Sequence, residues 1–284
     1  MSNGTLYIVA TPIGTLNDFS PRAKEVLSTV SFIACEDTRH SAKLLNHFGI
    51  KTHLESFHSH NEKNKTQFLI DKLLNSHVKS AAIISDAGTP CISDPGSTLI
   101  AAAHAHDILV QSIPGPSSLT AALAACGFLQ PRSIFSAFLG RTQKEQFEEF
   151  SRWKNVTPCI AIFFESPKRL LSTLKNINEF FQNSNLQISV SKEISKKFES
   201  HKVGNIIEVT DFFKNLPEII GEFVVCVNIF QTEIINPEEN FSTAIQEVQL
   251  LLDEGKHLKF ACKEISKKYN IQSKDLYNFM INKN

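Results

Sequence analysis

The residues with chemistry to offer gather in four short runs. The longest is Ser85-Asp86-Ala87-Gly88-Thr89-Pro90-Cys91-Ile92-Ser93-Asp94-Pro95-Gly96, which places two glycines, two prolines and two aspartates between an apolar run and a helical pattern. Glycine lets a ligand approach the backbone and proline stiffens the turn, so such a loop suits a small ligand held against peptide groups. A plain tight connection would not need twelve residues of this kind. Ile113-Pro114-Gly115-Pro116-Ser117-Ser118 is a rigid turn leading to a helix N-cap, where free amides can hold a carboxylate; it is also simply a good turn. Glu36-Asp37-Thr38-Arg39 sets two acids beside a guanidinium, either to position a polar substrate or to cap the next helix and pair locally. Phe164-Glu165-Ser166-Pro167-Lys168-Arg169 repeats that layout with an acid, a Ser-Pro helix start and two cations. Neither glycine-bearing run is a GxGxxG or GxxxxGK[ST] loop, so dinucleotide and nucleoside triphosphate binding are unsupported. His53, His58 and His60 lack a carboxylate or cysteine at ligand spacing, so no metal site is expected.

Loops of this kind need a scaffold that presents them together. Thr5–Ala10, Phe32–Cys35, Ser80–Ile84 and Ile108–Ile113 are short apolar, β-rich runs, and helical patterns alternate with them. Ser20-Pro21 supplies an N-cap and a first-turn proline, Gly49 stops the next helix, Asn61 caps a third, and Ser97–His106 and Ser117–Ala125 are further helices. Apolar strands alternating with helices indicate a largely parallel sheet covered on both faces, with ligands beyond the strands' carboxyl ends. The loops after Ala10, Cys35, Ile84 and Ile113 should therefore converge on one rim. Beyond Pro131 the pattern changes: Ile134–Phe138, Cys159–Phe164, Gln187–Val190, Asn205–Val209 and Glu222–Phe230 read as strands of a second, mixed sheet. Asn236-Pro237-Glu238-Glu239-Asn240 reads as a polar linker. Phe241–Leu252, Leu258–Tyr269 and Ser273–Ile281 follow as three helical patterns, either a small appendage resembling a helix-turn-helix with Asn270-Ile271 at its turn, or a solvated helix pair docked on the body. The expected domains are residues 1–117, 118–232 and 238–284.

Bulk properties narrow the classes. The chain has 284 residues, 42% of them hydrophobic, and Lys plus Arg equals Asp plus Glu at 29 each. Zero net charge removes the global signature of a nucleic-acid binder, so any affinity for RNA must come from local patches. The six cysteines form no CxxC pair and sit mostly in apolar stretches, as small buried hydrophobes of a reducing compartment. The first residues lack the basic start and long apolar core of a signal peptide, and no apolar run would cross a bilayer. A cytoplasmic protein without membrane or DNA partners is the expectation.

Taken in order, Leu6-Tyr-Ile-Val-Ala-Thr-Pro-Ile-Gly14, Glu36-Asp-Thr-Arg39, Leu-Asn-His-Phe-Gly49, Ser85-Asp-Ala-Gly-Thr-Pro90, Ile92-Ser-Asp-Pro-Gly96, Ile113-Pro-Gly-Pro-Ser117 and Phe164-Glu-Ser-Pro167 resemble the ribosomal RNA small subunit methyltransferase I group of the tetrapyrrole methylase superfamily. The resemblance runs from the first strand through the second domain, and the lysine-rich tail is similar to the group's C-terminal helix-turn-helix. It implies an α/β, two-domain tetrapyrrole methylase-like fold with a small helical appendage, S-adenosylmethionine in the cleft, and a homodimer. It also implies methylation of the ribose 2′-hydroxyl of a cytidine in the decoding region of 16S rRNA, within the small ribosomal subunit. Two positions depart from the family pattern: Cys91 stands where a glycine is usual and should narrow the loop, and Thr15 stands where Asn is common.

A sulfonium cation favours carbonyl oxygens and carboxylates. Pro12, Asp86, Ala87, Gly88, Ile92, Ser93 and Asp94 are therefore assigned to the cofactor pocket, with Pro114, Gly115, Pro116 and Ser117 on its far side. Glu165 would face it across the cleft. The acceptor hydroxyl needs a base. Glu36, Asp37 and Glu165 are candidates, with Arg39 orienting a phosphate or the base. Lys168, Arg169, Lys192, Lys196, Lys197, Lys263, Lys267 and Lys268 are the expected RNA contacts. Two rival readings are a tetrapyrrole C-methyltransferase, which has no use for a basic tail, and a non-catalytic RNA-binding ribosome-assembly factor.

Overall fold

The computed structural model describes residues 4–75, 77, 78, 80–183, 185–230, 237–269 and 271–282, without the side chains of 237–240, 267, 268 and 282. Two compact units are present, Met1–Ile229 and Phe230–Asn284. The first holds two sheets. In one, β1 (Thr5–Val9), β2 (Phe32–Cys35), β3 (Leu54–Ser56), β4 (Ser80–Ile84) and β5 (Leu109–Ile113) run parallel in the order β3-β2-β4-β1-β5. Alternation along β2 explains its continuous apolar run. Phe32 and Ala34 pack with Leu69 and Leu73 of α3 (Glu62–Leu74) and Leu99 of α4 (Ser97–Ala105). Ile33 and Cys35 pack on the other face with Leu27 of α1 (Pro21–Thr29) and Leu45 of α2 (Thr38–His47).

The second sheet has the order β6-β7-β10-β8-β9, from β6 (Ser133–Phe138), β7 (Cys159–Glu165), β8 (Gln187–Lys192), β9 (Ser200–Asn205) and β10 (Phe223–Ile229). Only β6 and β7 are parallel, so the sheet is mixed. Three helices cover one face: α6 (Gln143–Lys154), α7 (Leu170–Phe181) and α8 (Ile206–Lys214) bury Trp153, Leu174 and Val209 against Phe163 and Val225. The other face takes α5 (Ser118–Ala125), whose Ala122 packs with Ile160, Ile162 and Cys226. Thus α5 begins at the end of the first sheet and lies on the second.

Two stretches differ from the sequence expectation. Asn205–Val209, read as a strand, is the capped start of α8: the Asn205 side chain accepts from the Glu208 amide at 2.9 Å. Ile206, Val209 and Phe213 are the buried residues of α8, a helical spacing that overrides the β-branched composition. The strand lies just before it, as β9, a polar edge without apolar alternation. The expected linker 236–240 is also shortened, because Pro237 opens a helix. That helix, α9 (Pro237–Asp253), forms the second unit with α10 (Leu258–Tyr269) and α11 (Ser273–Asn282) around Val248, Cys262 and Leu276. Asn270, placed at the turn, lies outside the described residues. No helix among the described residues is long and apolar enough to cross a membrane. All six cysteines are free, and all but half-buried Cys91 are buried.

Candidate active site

Thr11, fully buried after β1, ties the rim together. Its amide donates to the Gly88 carbonyl at 2.8 Å and its carbonyl accepts from the Gly88 amide at 3.1 Å. Its hydroxyl donates to the Ser85 carbonyl at 3.1 Å. Thr89 Oγ1 reaches the Pro116 carbonyl at 3.2 Å, and the Asp37 amide donates to Asp86 Oδ1 at 3.3 Å. The loops after β1, β2, β4 and β5 are joined by these bonds, which is the expected convergence. Gly88 has φ +81°, and a Cβ there would lie 3.3 Å from Ile13 Cγ2, so glycine suits the closest approach of two loops.

A cavity of about 410 Å³ opens beside this rim. Of the residues assigned to the cofactor, Ala87, Gly88, Ile92, Ser93, Asp94 and Ser117 line it. Pro114, Gly115 and Pro116 stand outside the lining, with Pro116 bracing Thr89. Pro12 and Asp86 line a second cavity instead. Cys91 does not narrow the site. It adopts φ 68° in the left-handed region, which accounts for the usual glycine, and its thiol turns toward the Pro95 carbonyl at 3.8 Å. It lines neither cavity, and burial pushes its thiol up to about 11. Ser93, which does line the first cavity, is also left-handed, at φ 74°, so the loop holds two strained residues at this bend.

Asp94 is the electrostatically unusual lining group. Burial raises its carboxyl to about 6, the charges of Glu36 and Asp86 push the same way, and a hydrogen bond from Ser85 opposes them. The opposite wall comes from the second sheet, with Phe138, Phe164 to Pro167, Ile194 and Gly221 to Val224. A bulge with Ala137 at φ 48° delivers Phe138 edge-on to Phe164, their centroids 5.6 Å apart. Glu165, with no exposed side-chain surface, accepts from Thr173 Oγ1 at 2.6 Å and from the Ser166 amide at 2.8 Å. Arg169 Nε lies 3.4 Å from the same carboxylate, while Nη2 donates to the Leu139 and Gly140 carbonyls at 2.9 and 2.8 Å. The guanidinium expected on RNA is thus engaged inside the fold, joining the ends of β6 and β7 behind Glu165.

The second cavity, about 460 Å³, is lined by Pro12, Ile13, Gly14, Leu16, Asp86 and Ala87, by His40, Lys43, Leu44 and His47 of α2, and by Lys196 and Glu222. Ile13, Ala87 and Glu222 border both cavities. Thr15 clamps the first loop to the second sheet, its amide donating to Ser195 Oγ at 3.0 Å and its hydroxyl to the Ser195 carbonyl at 2.7 Å. Glu36, Asp37 and Arg39 line neither cavity. Asp37 is the N-cap of α2, accepting from the Arg39 and His40 amides at 2.8 and 3.3 Å, and those bonds hold its carboxyl below the usual range. Of its two readings, capping is the one observed.

Among the expected RNA contacts, Lys168, Lys197 and Lys263 are exposed and Lys192 is half-buried. Lys196 pairs with Glu193 at 3.1 Å and Glu222 at 2.9 Å. The side chains of Lys267 and Lys268 lie outside the described residues. No group of His, Cys, Asp and Glu among the described residues could hold a metal ion. Sequence reasoning missed Ile194 and Gly221 to Val224, which carry no motif, Ile13, which stands in the Leu6–Gly14 run without an assigned role, and the α2 face His40, Lys43 and His47, legible only as a 3- and 4-residue spacing on a helix.

Residues 5–210 match the family of Tetrapyrrole (Corrin/Porphyrin) Methylases. A ribosomal RNA small subunit methyltransferase I from Pseudomonas aeruginosa is 40% identical over 261 residues, 89% of either chain. One from Synechocystis sp. is 36% identical over 279 residues, 98% of either chain. Among solved structures, a diphthine synthase superposes with a TM-score of 0.60 at 15% identity, covering 79% of this chain and 90% of that one. A uroporphyrin-III C-methyl transferase from Thermus thermophilus, complexed with S-adenyl homocysteine, gives 0.54 at 14% identity, covering 78% and 97%. At those identities the structural likeness concerns the fold. The profile match over most of the chain and the near full-length relatives place the identification on sequence, and the chain belongs to the ribosomal RNA small subunit methyltransferase I family of tetrapyrrole methylases.

Proposed function

We propose that the protein transfers a methyl group from S-adenosylmethionine to the ribose 2′-hydroxyl of a cytidine in the decoding region of 16S rRNA. In this reading it works as a cytoplasmic homodimer on the small ribosomal subunit, with residues 1–117 and 118–232 as the two domains around the donor and residues 238–284 as a helical RNA-binding domain. The observation that carries it is the 410 Å³ cavity, where strand-end loops of the parallel sheet meet Glu165 and its neighbours on the mixed sheet. Its size suits a small ligand. Its donor set suits this one: Ile92, Phe138, Phe164 and Val224 offer apolar faces to a flat base, and Asp94 offers charge to a cation. Ser117, at the start of α5, makes no side-chain cap, which leaves first-turn amides for a carboxylate.

S-adenosylmethionine supplies an electrophilic methyl carbon on a sulfonium. The chain's own work is mainly positional, because near-attack geometry can supply several orders of magnitude in rate. The bonded loops around Thr11 hold the donor side, and Ile13, Ala87 and Glu222 form the edge over which an acceptor must pass. Removal of the hydroxyl proton falls to a carboxylate. Of Glu36, Asp37 and Glu165, only Glu165 lines the cavity, where Thr173, the Ser166 amide and Arg169 fix the orientation of its carboxyl group. Arg39, exposed on the first turn of α2, orients the RNA backbone.

The test is methyl transfer from labelled S-adenosylmethionine to small subunits from a strain lacking the enzyme, with nuclease digestion and mass spectrometry of the product nucleoside. 2′-O-Methylcytidine from 16S rRNA is the expected result. Subunit binding without transfer would replace the reading with an assembly factor, and label only on a porphyrin-type acceptor would replace it with a tetrapyrrole methylase.

A further inference from the structure

Given the methyl-transfer reaction proposed above, the acceptor needs a place of its own, and the charge on the cavity walls says where. The donor cavity is apolar and acidic: its only charged lining groups are Asp94, Glu165 and Glu222. The second cavity holds the cations of the pair, Lys43 and Lys196, with the imidazoles of His40 and His47, and sets them beside the carboxylates of Asp86 and Glu222. His40, Lys43 and His47 fall at i, i+3 and i+7 on α2, so one face of the helix presents all three, with Leu44 between them. All three are exposed, and among the described residues none takes part in an ion pair. Lys196 closes the opposite side but is held by Glu193 and Glu222. The α2 face is therefore the side with uncommitted donors for an anion.

We infer that the second cavity is the acceptor subsite, which takes one unstacked nucleotide of single-stranded RNA. Lys43 binds a backbone phosphate, flanked by His40 and His47, and the sugar is directed over Ile13 and Ala87 toward the methyl donor. A volume of about 460 Å³ accommodates a single nucleotide but not a duplex, so the target base must leave its stack. The shared wall fits a ribose target, because it lets the sugar reach the first cavity while the phosphate stays in the second. Phosphate contacts position the chain and base edges specify it, so Lys43 is a positioning residue and not a catalytic one.

The experiment compares wild type with Lys43→Glu and Lys43→Ala, using Lys144→Glu, at an exposed position of α6, as the control. Each protein is assayed for methyl transfer to small subunits, for anisotropy binding of a 12-residue oligocytidylate, and for S-adenosylmethionine affinity by calorimetry. Charge reversal at Lys43 should raise KM for subunits about tenfold with kcat within about twofold, weaken oligocytidylate in parallel, and leave donor affinity unchanged. Lys43→Ala should lower the slope of log affinity against log salt by about 0.7, the counterion release of one single-strand phosphate contact. Lys144→Glu should match wild type. Unchanged KM, oligonucleotide affinity and salt slope in both Lys43 variants would overturn the subsite. So would a loss of donor affinity equal to the loss of RNA affinity. If wild type transfers no methyl to rRNA yet Lys43→Glu still loses oligocytidylate, the subsite stands and the reaction reading falls.

Discussion

Asp94→Asn should stabilise the protein while impairing it, and the two effects have one cause. Burial and the charges of Glu36 and Asp86 raise the Asp94 carboxyl from 3.8 to about 6. Raising an acid means that the folded state prefers the protonated form. The penalty is therefore absent below the unfolded value of 3.8, grows as pH rises, and is complete above about 6. A shift of about 2.2 units corresponds to a ceiling of about 3 kcal/mol, and partial solvation of this half-buried group reduces that to about 1–2 kcal/mol. Asparagine is close to isosteric and keeps an acceptor for Ser85. Scanning calorimetry should give the variant the higher Tm at about pH 8, and almost no difference at about pH 3, where the carboxyl is mostly protonated in both states. A variant less stable at the higher pH, or a gain that persists in acid, would refute the electrostatic account. The same charge should matter to the ligand. Titration calorimetry is expected to show S-adenosylmethionine affinity falling about tenfold, a loss on the scale of one charge contact. S-Adenosylhomocysteine, whose sulfur is neutral, should be less affected; equal losses for both would mean that Asp94 does not serve the sulfonium.

Three further outcomes follow from named contacts. Glu165→Gln should lower kcat by about 100-fold with little change in subunit KM if Glu165 takes the hydroxyl proton, and a rate within a few fold of wild type would remove it from that role. Thr11→Val deletes the hydroxyl that donates to the Ser85 carbonyl and should cost about 1–2 kcal/mol together with donor affinity. A change in stability alone, with calorimetric affinity intact, would show that the rim does not depend on that bond. Glu55 on β3 tests the scaffold away from the site. Burial opposes its ionisation, but the hydrogen bonds and charges of Lys72 and Lys65 outweigh that and lower it from 4.5 to about 2. A lowered acid stabilises above the unfolded value, and the contribution fades as pH falls toward the folded one. Glu55→Gln should therefore cost about 1–2 kcal/mol at neutral pH, with more than half of the difference gone between about pH 5 and pH 3. A difference independent of pH would mean that shape, not charge, is what Glu55 contributes.

The loops of the first cavity's rim were legible because their residues are contiguous and chemically marked. A strand, a Gly/Pro-rich turn and a helix start recur after β1, β4 and β5, and the rule that such turns meet at one sheet edge brings Thr11, Gly88 and Pro116 together. The opposite wall was only partly legible. Phe164 to Pro167 carries a recognisable strand end, but Ile194 and Gly221 to Val224 come from ordinary apolar and connecting stretches whose place depends on the pairing of β10 between β7 and β8. The same limit explains the misplaced strand. Ile206 and Val209 favour a strand by composition, while the Asn205 cap and the core around Phe163 and Val225 select a helix, and only tertiary contact decides between them. β3 is too short, at three residues, to show a period at all. Arg169 and Lys168 are adjacent cations that sequence treats alike, yet one is tied to Glu165, Leu139 and Gly140 and the other is exposed.

The balance of 29 cations and 29 anions looks at first like evidence against a polyanionic substrate. The site suggests another origin for part of it. A methyl donor with a positive sulfur and an RNA backbone with negative phosphates make opposite demands, and one enzyme must meet both within neighbouring cavities. In the proposed assignment Asp94, with Glu36 and Asp86 close enough to raise it, would meet the first, and Lys43 with His40 and His47 would meet the second. Placing the two sets in one basin would let them neutralise each other, and each ligand would then have to break ion pairs to bind. The wall of Ile13, Ala87 and Glu222 divides the cavities only in part, since Asp86 lines the second one with Lys43, but among the described residues neither Asp86 nor Glu222 forms an ion pair with Lys43. Lys196 shows what the merged arrangement would look like, since it is already paired with Glu193 and Glu222 at the boundary. Net charge reports the sum of these sets, whereas binding depends on their separation, so a neutral chain can still grip an anion where Lys43 stands without a carboxylate partner among the described residues.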